Sequence, residues 1–461
     1  MCSEIKKIKF MEWSKSSRKN IKQKKRTSTE TIIESLSQDG RGVAHINGKT
    51  VFIHGALPGE RVRFIYERIH NRCDEGSVQE VLEPAMERVT PKCPHFGVCG
   101  GCNLQHLQAT AQILNKQKIL QDALEHIGKI QPEHGYLPPL VAGHWGYRRK
   151  ARLGVKYVEA KGKLLIGFRE RKASVITDLR QCEVLHPKVG KKITNLNAAI
   201  ANLSICKHIP QIEMAMGDET CVVVIRTMSA LNNKDREQLH KFGIEHDLNL
   251  YIQTGGPEQL EPLDSIAKLE YTLPDINLRF KFEPLDFTQI NLELNRLLVN
   301  TVLELLNPQP NERILDLFCG IGNFTLPLAT RSQMVLGVEA DAGLITRAKN
   351  NAVINQISNC NFCVTDLYAP LQQAIWLNEK FDKVLLDPPR SGAMQVLPYL
   401  PKLGVKKILY VSCLPATLAR DAGVLVNEFG YKLQIAGVMD MFPHTAHVES
   451  LAMFELGTGS V

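Results

Sequence analysis

No stretch of this chain holds the roughly 20 consecutive apolar residues of a membrane helix. The first residues also lack the apolar centre of a signal peptide. The sequence therefore predicts a cytoplasmic protein. Without an export route, its 12 cysteines do not read as a disulfide framework. No internal repeat or long low-complexity segment is present, which argues against a repeat array. Most of the chain also lacks an excess of either charge. Of a net +8, residues 1–30 carry ten Lys/Arg against three Glu, a net of +7. The run Lys15, Arg18, Lys19, Lys22, Lys24, Lys25 and Arg26 is too polar to fold alone. Residues 1–27 thus read as a basic tail, either solvated or binding phosphates, and suit a polyanion partner.

What is present is ordinary for a globular protein: 44% hydrophobic and 23% charged residues in 461. That length suits about two to four domains. Residues 28–84 hold short β-rich runs broken by Asp39-Gly40, Asn47-Gly48 and Pro58-Gly59, as in a small barrel. An oligonucleotide-binding barrel is one option and a structural spacer another. Residues 85–268 open on a Pro- and Cys-containing loop. A helical stretch, "LQHLQATAQILNKQKILQDALEHIGKI", follows, and then alternating short strands and helices. The basic clusters Arg148-Arg149-Lys150 and Arg169–Lys172 read as solvated edges more readily than as RNA contacts. Residues 269–461 show repeated β–α units: "RILDLF", "MVLGVEA", "CNFCVTD", "KVLLDPP" and "KKILYVSC" are strand-like. The expected fold is α/β, a doubly wound parallel sheet preceded by a small barrel and a central α/β domain.

"ILDLFCGIGNF" (Ile314–Phe324) is a strand entering a glycine turn. Gly320 and Gly322 let the backbone approach a ligand, although a lone G-x-G also serves as a plain tight turn. Glu339 ends the next strand, where a carboxylate can hold ribose hydroxyls. Asp366 and Asp387 end the third and fourth. All these features fall on the ligand edge of an open α/β sheet. A third glycine at pyrophosphate spacing is missing, as is any G-K-[ST]. A cofactor with adenine and ribose but no phosphate fits, which points to S-adenosylmethionine.

Two further motifs are specific: "DPPRSG" (Asp387–Gly392) followed by "ILYVSCLPATLARD" (Ile408–Asp421), and "MDMFPHTAHVE" (Met439–Glu449). With "FTQIN" (Phe287–Asn291), they resemble the signature blocks of the RNA uracil-5-methyltransferase family over essentially the whole chain. The resemblance implies a Rossmann-like class I methyltransferase domain, with Cys413 as nucleophile and Glu449 as the base removing a proton. The chemistry agrees. C5 of uracil is a poor nucleophile until a thiolate adds at C6, and a base must then take the C5 proton. A buried structural cysteine and a solvated acid are the alternatives. By the same resemblance Gln289, Phe318, Asn323, Glu339, Asp366 and Asp387 line the cofactor or the uracil. His444 and His447 read as structural. One departure stands out: the family has Asn after the nucleophile, and this chain has Leu414.

Cys93, Cys99, Cys102 and Cys182 supply four thiolates, suited by spacing to either zinc or an iron–sulfur cluster. Unrelated thiols are the third possibility. The resemblance favours a [4Fe–4S] cluster, as in large-subunit rRNA members, in a structural or RNA-binding role. It also makes the barrel similar to a TRAM domain. The implied partner is 23S rRNA, at a uridine in a single-stranded or loop segment, with no membrane and no obligate protein partner. Another rRNA uridine, tRNA, or a catalytically inactive RNA-binding assembly factor are the alternatives. The remaining cysteines read as buried structural thiols by default.

Overall fold

The computed structural model describes residues 28–171 and 173–457. The basic tail 1–27, read as either solvated or phosphate-binding, lies outside them. The chain forms two compact units, one of residues up to Ser35 with Gly42–Pro84, the other of Leu36–Arg41 with Ala85 onward.

In the smaller unit, Ser28–Ile32 pairs antiparallel with Arg61–Ile69, and that strand with Cys73–Glu83. Lys49–His54 runs parallel to Cys73–Glu83 and antiparallel to Gly42–Ile46. Asn47 and Gly48 both have positive φ, 51° and 77°, which gives the tight hairpin between the last two. Ile33, Ala44, Val51, Ile53, Val62 and Phe64 fill the interior.

The larger unit holds two main sheets. The central one orders its strands as Leu260–Pro262, Asn249–Gln253, Cys221–Arg226, Gln211–Met216, Lys150–Val158 and Lys163–Gly167. The second has seven strands: Cys360–Val364, Met334–Glu339, Arg313–Leu317, Lys383–Leu386, Lys407–Ser412, Glu449–Leu456 and Tyr431–Met439. The first five are parallel. Their side chains alternate between two cores. Leu315, Val384, Leu386 and Tyr410 pack on one face, and Ile314, Leu385, Leu409 and Val411 on the other. Such strands, covered on both faces, read as continuous apolar runs.

The last two strands depart from an all-parallel sheet. Both pairings made by Glu449–Leu456 are antiparallel. The connection 440–448 is too short for a parallel crossover, which needs a dozen or more residues. The helical stretch beginning at Leu104 also starts later than its pattern suggested, at Ala109. The reason is Gln112, whose amide Nε2 donates to the carbonyls of Leu104 and Leu107 (3.0 and 2.7 Å) and holds that segment as a turn.

Candidate active site

Cys413 follows the strand Lys407–Ser412, and Glu449 is the first residue of Glu449–Leu456. Glu449 thus starts a strand. The register of these antiparallel neighbours pairs Ser412 with Ser450. The next residues outward are Cys413, just past its strand, and Glu449, so both lie at the same end of this strand pair. Electrostatics agrees: burial first, then the Glu449 and Asp387 charges, push the Cys413 thiol up to about 11. Burial likewise drives Glu449 well above the usual carboxylate range, with Asp387 adding and Lys116 and Arg390 opposing. A cavity of about 260 Å³ opens at Cys413, walled by Gly101, Asn103, Arg390, Leu414 and Ala446. Leu414 stands in this wall, and its backbone is tied by the Ser412 and Thr417 hydroxyls, which donate to its carbonyl at 3.2 and 3.0 Å.

The glycine turn lies along the same sheet edge. Gly320 has φ +55° and faces open space; Gly322 has φ +89°, and a Cβ there would strike Leu326 at 2.7 Å. Glu339 accepts backbone N–H bonds from Gly320 (3.2 Å) and Ala340 (2.7 Å). Phe318 holds φ +67°, a strained conformation for a bulky residue and common at functional sites. Its ring lies 5.8 Å from Tyr368. Burial raises Asp387 to about 7. Asp316, fully buried and singled out by no motif, rises to about 7 as well, from burial with the Asp387 and Glu339 charges adding. Thr325 Oγ1 donates to it at 2.5 Å. This row of acids at strand ends would attract a cation.

The other expected residues are less concentrated. Asn323 Oδ1 accepts from Tyr271 Oη at 2.8 Å and Asn295 Nδ2 at 2.9 Å, so its amide is committed to the protein. Asp366 is exposed and caps the turn at Tyr368 N (2.9 Å). Gln289 is half-buried. The segment around it is braced by the first basic cluster: Arg149 N donates to Ile290 O, and Lys150 Nζ to Pro284 O, both at 2.8 Å. Arg148 lies over the Phe168 ring. That cluster is therefore built into the protein and is not a solvated edge. In the second, Lys172 lies outside the described residues.

The segment leading to Glu449 is held by residues far from it in sequence. Lys116, on the helix Ala109–Ala123, is fully buried and pairs with buried Asp440 at 2.6 Å. His444 is buried, as a structural residue would be, with φ +66°. Trp145 stacks on its ring at 3.9 Å. His447 is exposed, 3.0 Å from Arg390. Sequence reasoning did not find Lys116, Asp316 or Arg390 as site residues. A lone charge on an apolar helix face and an acid inside an apolar strand were the available signals for the first two.

Cys93, Cys99, Cys102 and Cys182 line one small enclosed cavity with Phe168, Leu179 and Val184. Burial, with a contribution from one another's charges, pushes Cys102 to about 12 and Cys182 to about 11. Among the described residues no group of three or more His, Cys, Asp or Glu is placed to hold a single metal ion. The described cysteines are all free thiols. Of those outside the four and Cys413, only Cys221 and Cys319 are fully buried, so the default of buried structural thiols holds for those two alone.

An open α/β sheet with this glycine turn and these strand-end acids defines the class of Rossmann-like methyltransferases. The comparisons with known proteins narrow it. Residues 263–456 match the family model for tRNA (Uracil-5-)-methyltransferase, and residues 22–64 that of the TRAM domain. A relative from Nitrosococcus oceani, named 23S rRNA (uracil(1939)-C(5))-methyltransferase RlmD, is 53% identical over 92% of this chain and 95% of its own. Its counterpart of the same name in Methylococcus capsulatus is 48% identical over 92% and 96%. The crystal structure of Pyrococcus abyssi tRNA (uracil-54, C5)-methyltransferase in complex with S-adenosyl-L-homocysteine shares the fold, with a TM-score of 0.70 and 24% identity over 92% of this chain and all of that one. The chain belongs to the RNA uracil-5-methyltransferase family. No described helix is long and apolar enough to cross a membrane.

Proposed function

We propose that this protein methylates C5 of a uridine in 23S rRNA, at the position equivalent to 1939, using S-adenosylmethionine. The observation that carries the reading is the strand register pairing Ser412 with Ser450, each one residue from Cys413 and Glu449, with Cys413 at the wall of a cavity. Cys413 Sγ adds to C6 of the uracil, making C5 enolate-like. Bound S-adenosylmethionine supplies the methyl group to C5. Glu449 then removes the C5 proton, the C5–C6 double bond re-forms, and Cys413 leaves as thiolate. At rest, burial disfavours the ionised form of both groups. A cation bound beside Asp387 favours their ionised forms, so the thiol is activated when the site is filled.

In this reading Glu339 takes the ribose of the cofactor, and Phe318, Asp366 and Asp387 line the rest of its pocket with Gln289 and Asn323. Residues 28–84 are a TRAM barrel for RNA, 85–268 a cluster-bearing and RNA-binding domain, and 269–461 the methyltransferase domain. The uridine is presented unpaired, since its C6 face must be reached by a side chain. Cys93, Cys99, Cys102 and Cys182 hold a [4Fe–4S] cluster. Support comes from the donor set: four thiols lining one small cavity. A cluster there would pin the loop to the domain, and the methyl transfer draws no electrons from it.

The test is methyl transfer from labelled S-adenosylmethionine to 23S rRNA from a strain lacking the gene. Label in 5-methyluridine at the 1939-equivalent position is expected. Label in tRNA alone, or none, overturns the assignment.

A further inference from the structure

The arm that carries Glu449 is fastened to the cysteine-rich loop at several points. His444 O accepts from the backbone N–H groups of Asn103 and Leu104, both at 3.0 Å. His444 N donates to Gln112 Oε1 at 2.8 Å. The same Gln112 amide reaches His444 Nδ1 at 3.2 Å. Asn103 makes the attachment from this loop that lies nearest the base: its Oδ1 accepts from Ala446 N at 2.8 Å, and its Nδ2 donates to Asp39 O at 2.7 Å. These bonds hold His444 in a left-handed conformation, φ +66°, that a non-glycine residue keeps only when its surroundings over-determine it. Cys413 follows a different strand and receives none of them.

The fastening is therefore one-sided with respect to the two catalytic groups. We infer that Asn103 is a positioning residue for proton abstraction: its side-chain carbonyl fixes Ala446, and through it the direction of Glu449, without setting the approach of Cys413. The inference rests on the roles proposed above for Cys413 and Glu449. Losing the Asn103 carbonyl lets the 445–448 segment move and lengthens the path from the C5 proton to the Glu449 carboxylate. Thiol addition and methyl transfer proceed, and the C6–S bond persists because the C5 proton stays.

The experiment follows the two halves separately, with full-length enzyme, 23S rRNA fragment and methyl-labelled S-adenosylmethionine. Asn103→Ala should form the denaturation-resistant RNA adduct within threefold of the wild-type rate and release product at least tenfold more slowly. Labelled methyl then accumulates in the adduct. Asn103→Asp keeps the acceptor for Ala446 N and should release product within threefold of wild type. Should Asn103→Ala not yield folded protein, Asn103→Ser, too short to reach the Ala446 amide, serves in its place. A general loosening of the fold would slow adduct formation and release together, and that result, or unchanged release, overturns the inference. Glu449→Gln run alongside separates the two layers. If it traps adduct and Asn103→Ala does not, only the role of Asn103 fails; if Glu449→Gln turns over freely, both readings fail.

Discussion

Cys413 should be an unreactive thiol until the site is filled. Burial beside Glu449 and Asp387 pushes it from 9.0 to about 11. At pH 7 a thiol at that value is ionised in roughly one molecule in ten thousand, against about one in a hundred for the unshifted group. Alkylation by iodoacetamide needs the thiolate. The RNA-free enzyme should therefore label at Cys413 about a hundredfold more slowly at neutral pH than an ordinary exposed cysteine. The logarithm of the rate should climb with unit slope from pH 7 to about 10, by that same ionisation. The charges that set the value can be removed one at a time. Glu449→Gln removes a raising charge and should speed labelling at pH values where Glu449 is ionised. Arg390→Gln removes a lowering charge and should slow it. Added S-adenosylmethionine brings a cation towards Asp387 and should speed it. The readout is the fraction of the Cys413 peptide alkylated over time, by mass spectrometry, between pH 6.5 and 10.5. A rate that levels off below pH 8 without RNA or cofactor would refute the reasoning, because it would mean the empty site already holds a thiolate.

Lys116→Met should leave Asp440 charged and buried and cost about 3–5 kcal/mol in denaturant unfolding. Lys116→Met/Asp440→Asn should recover much of that loss. Asp316 has a folded value raised to about 7 from 3.8. The folded state holds its proton more tightly, so stability falls as pH rises from 3.8 to about 7. Asp316→Asn should reduce that slope, to which Asp387 also contributes, and raise the melting temperature more at pH 8 than at pH 5; an unchanged slope sinks the assignment. Anaerobically purified protein should be brown with about four irons per chain, and Cys182→Ser should lose the colour. Colourless wild-type protein with one zinc would reject the cluster.

The parts of the site that sequence revealed are those whose signals are local. The glycine turn, the strand-end acids Glu339, Asp366 and Asp387, and the five parallel strands each lie within a dozen residues of their own evidence. Cys413 and Glu449 were legible because they sit in compact motifs. The pairing of their strands was not, since antiparallel insertion of Glu449–Leu456 depends on which neighbour offers free hydrogen-bonding groups. Contacts joining Lys116 to Asp440, Gln112 to His444 and Asn103 to Ala446 span 324, 332 and 343 residues. No periodicity reports such distances. Arg149 and Lys150 illustrate the opposite error: a run of charges suggests solvent, yet their hydrogen bonds go to buried carbonyls that only the fold supplies.

The register of the two strands behind nucleophile and base limits how far the site can move. Separating those strands would mean unzipping a ladder inside a seven-stranded sheet. Only the residues at its end, Cys413 just past one strand and the 445–448 arm leading to Glu449, are left to loops and their attachments, while the ladder itself opens only with much of the sheet. Access for a folded RNA must come from the loops and from the nucleotide itself leaving its stack. Amides of residues 450–456 should accordingly be among the slowest to exchange with solvent, and binding of RNA should leave them unchanged. A one-residue slip of the last strand would turn Leu451 and Met453 to the opposite faces while displacing Glu449, so folding sets which residues meet at the site and leaves only the fine aim of the base to the arm before it.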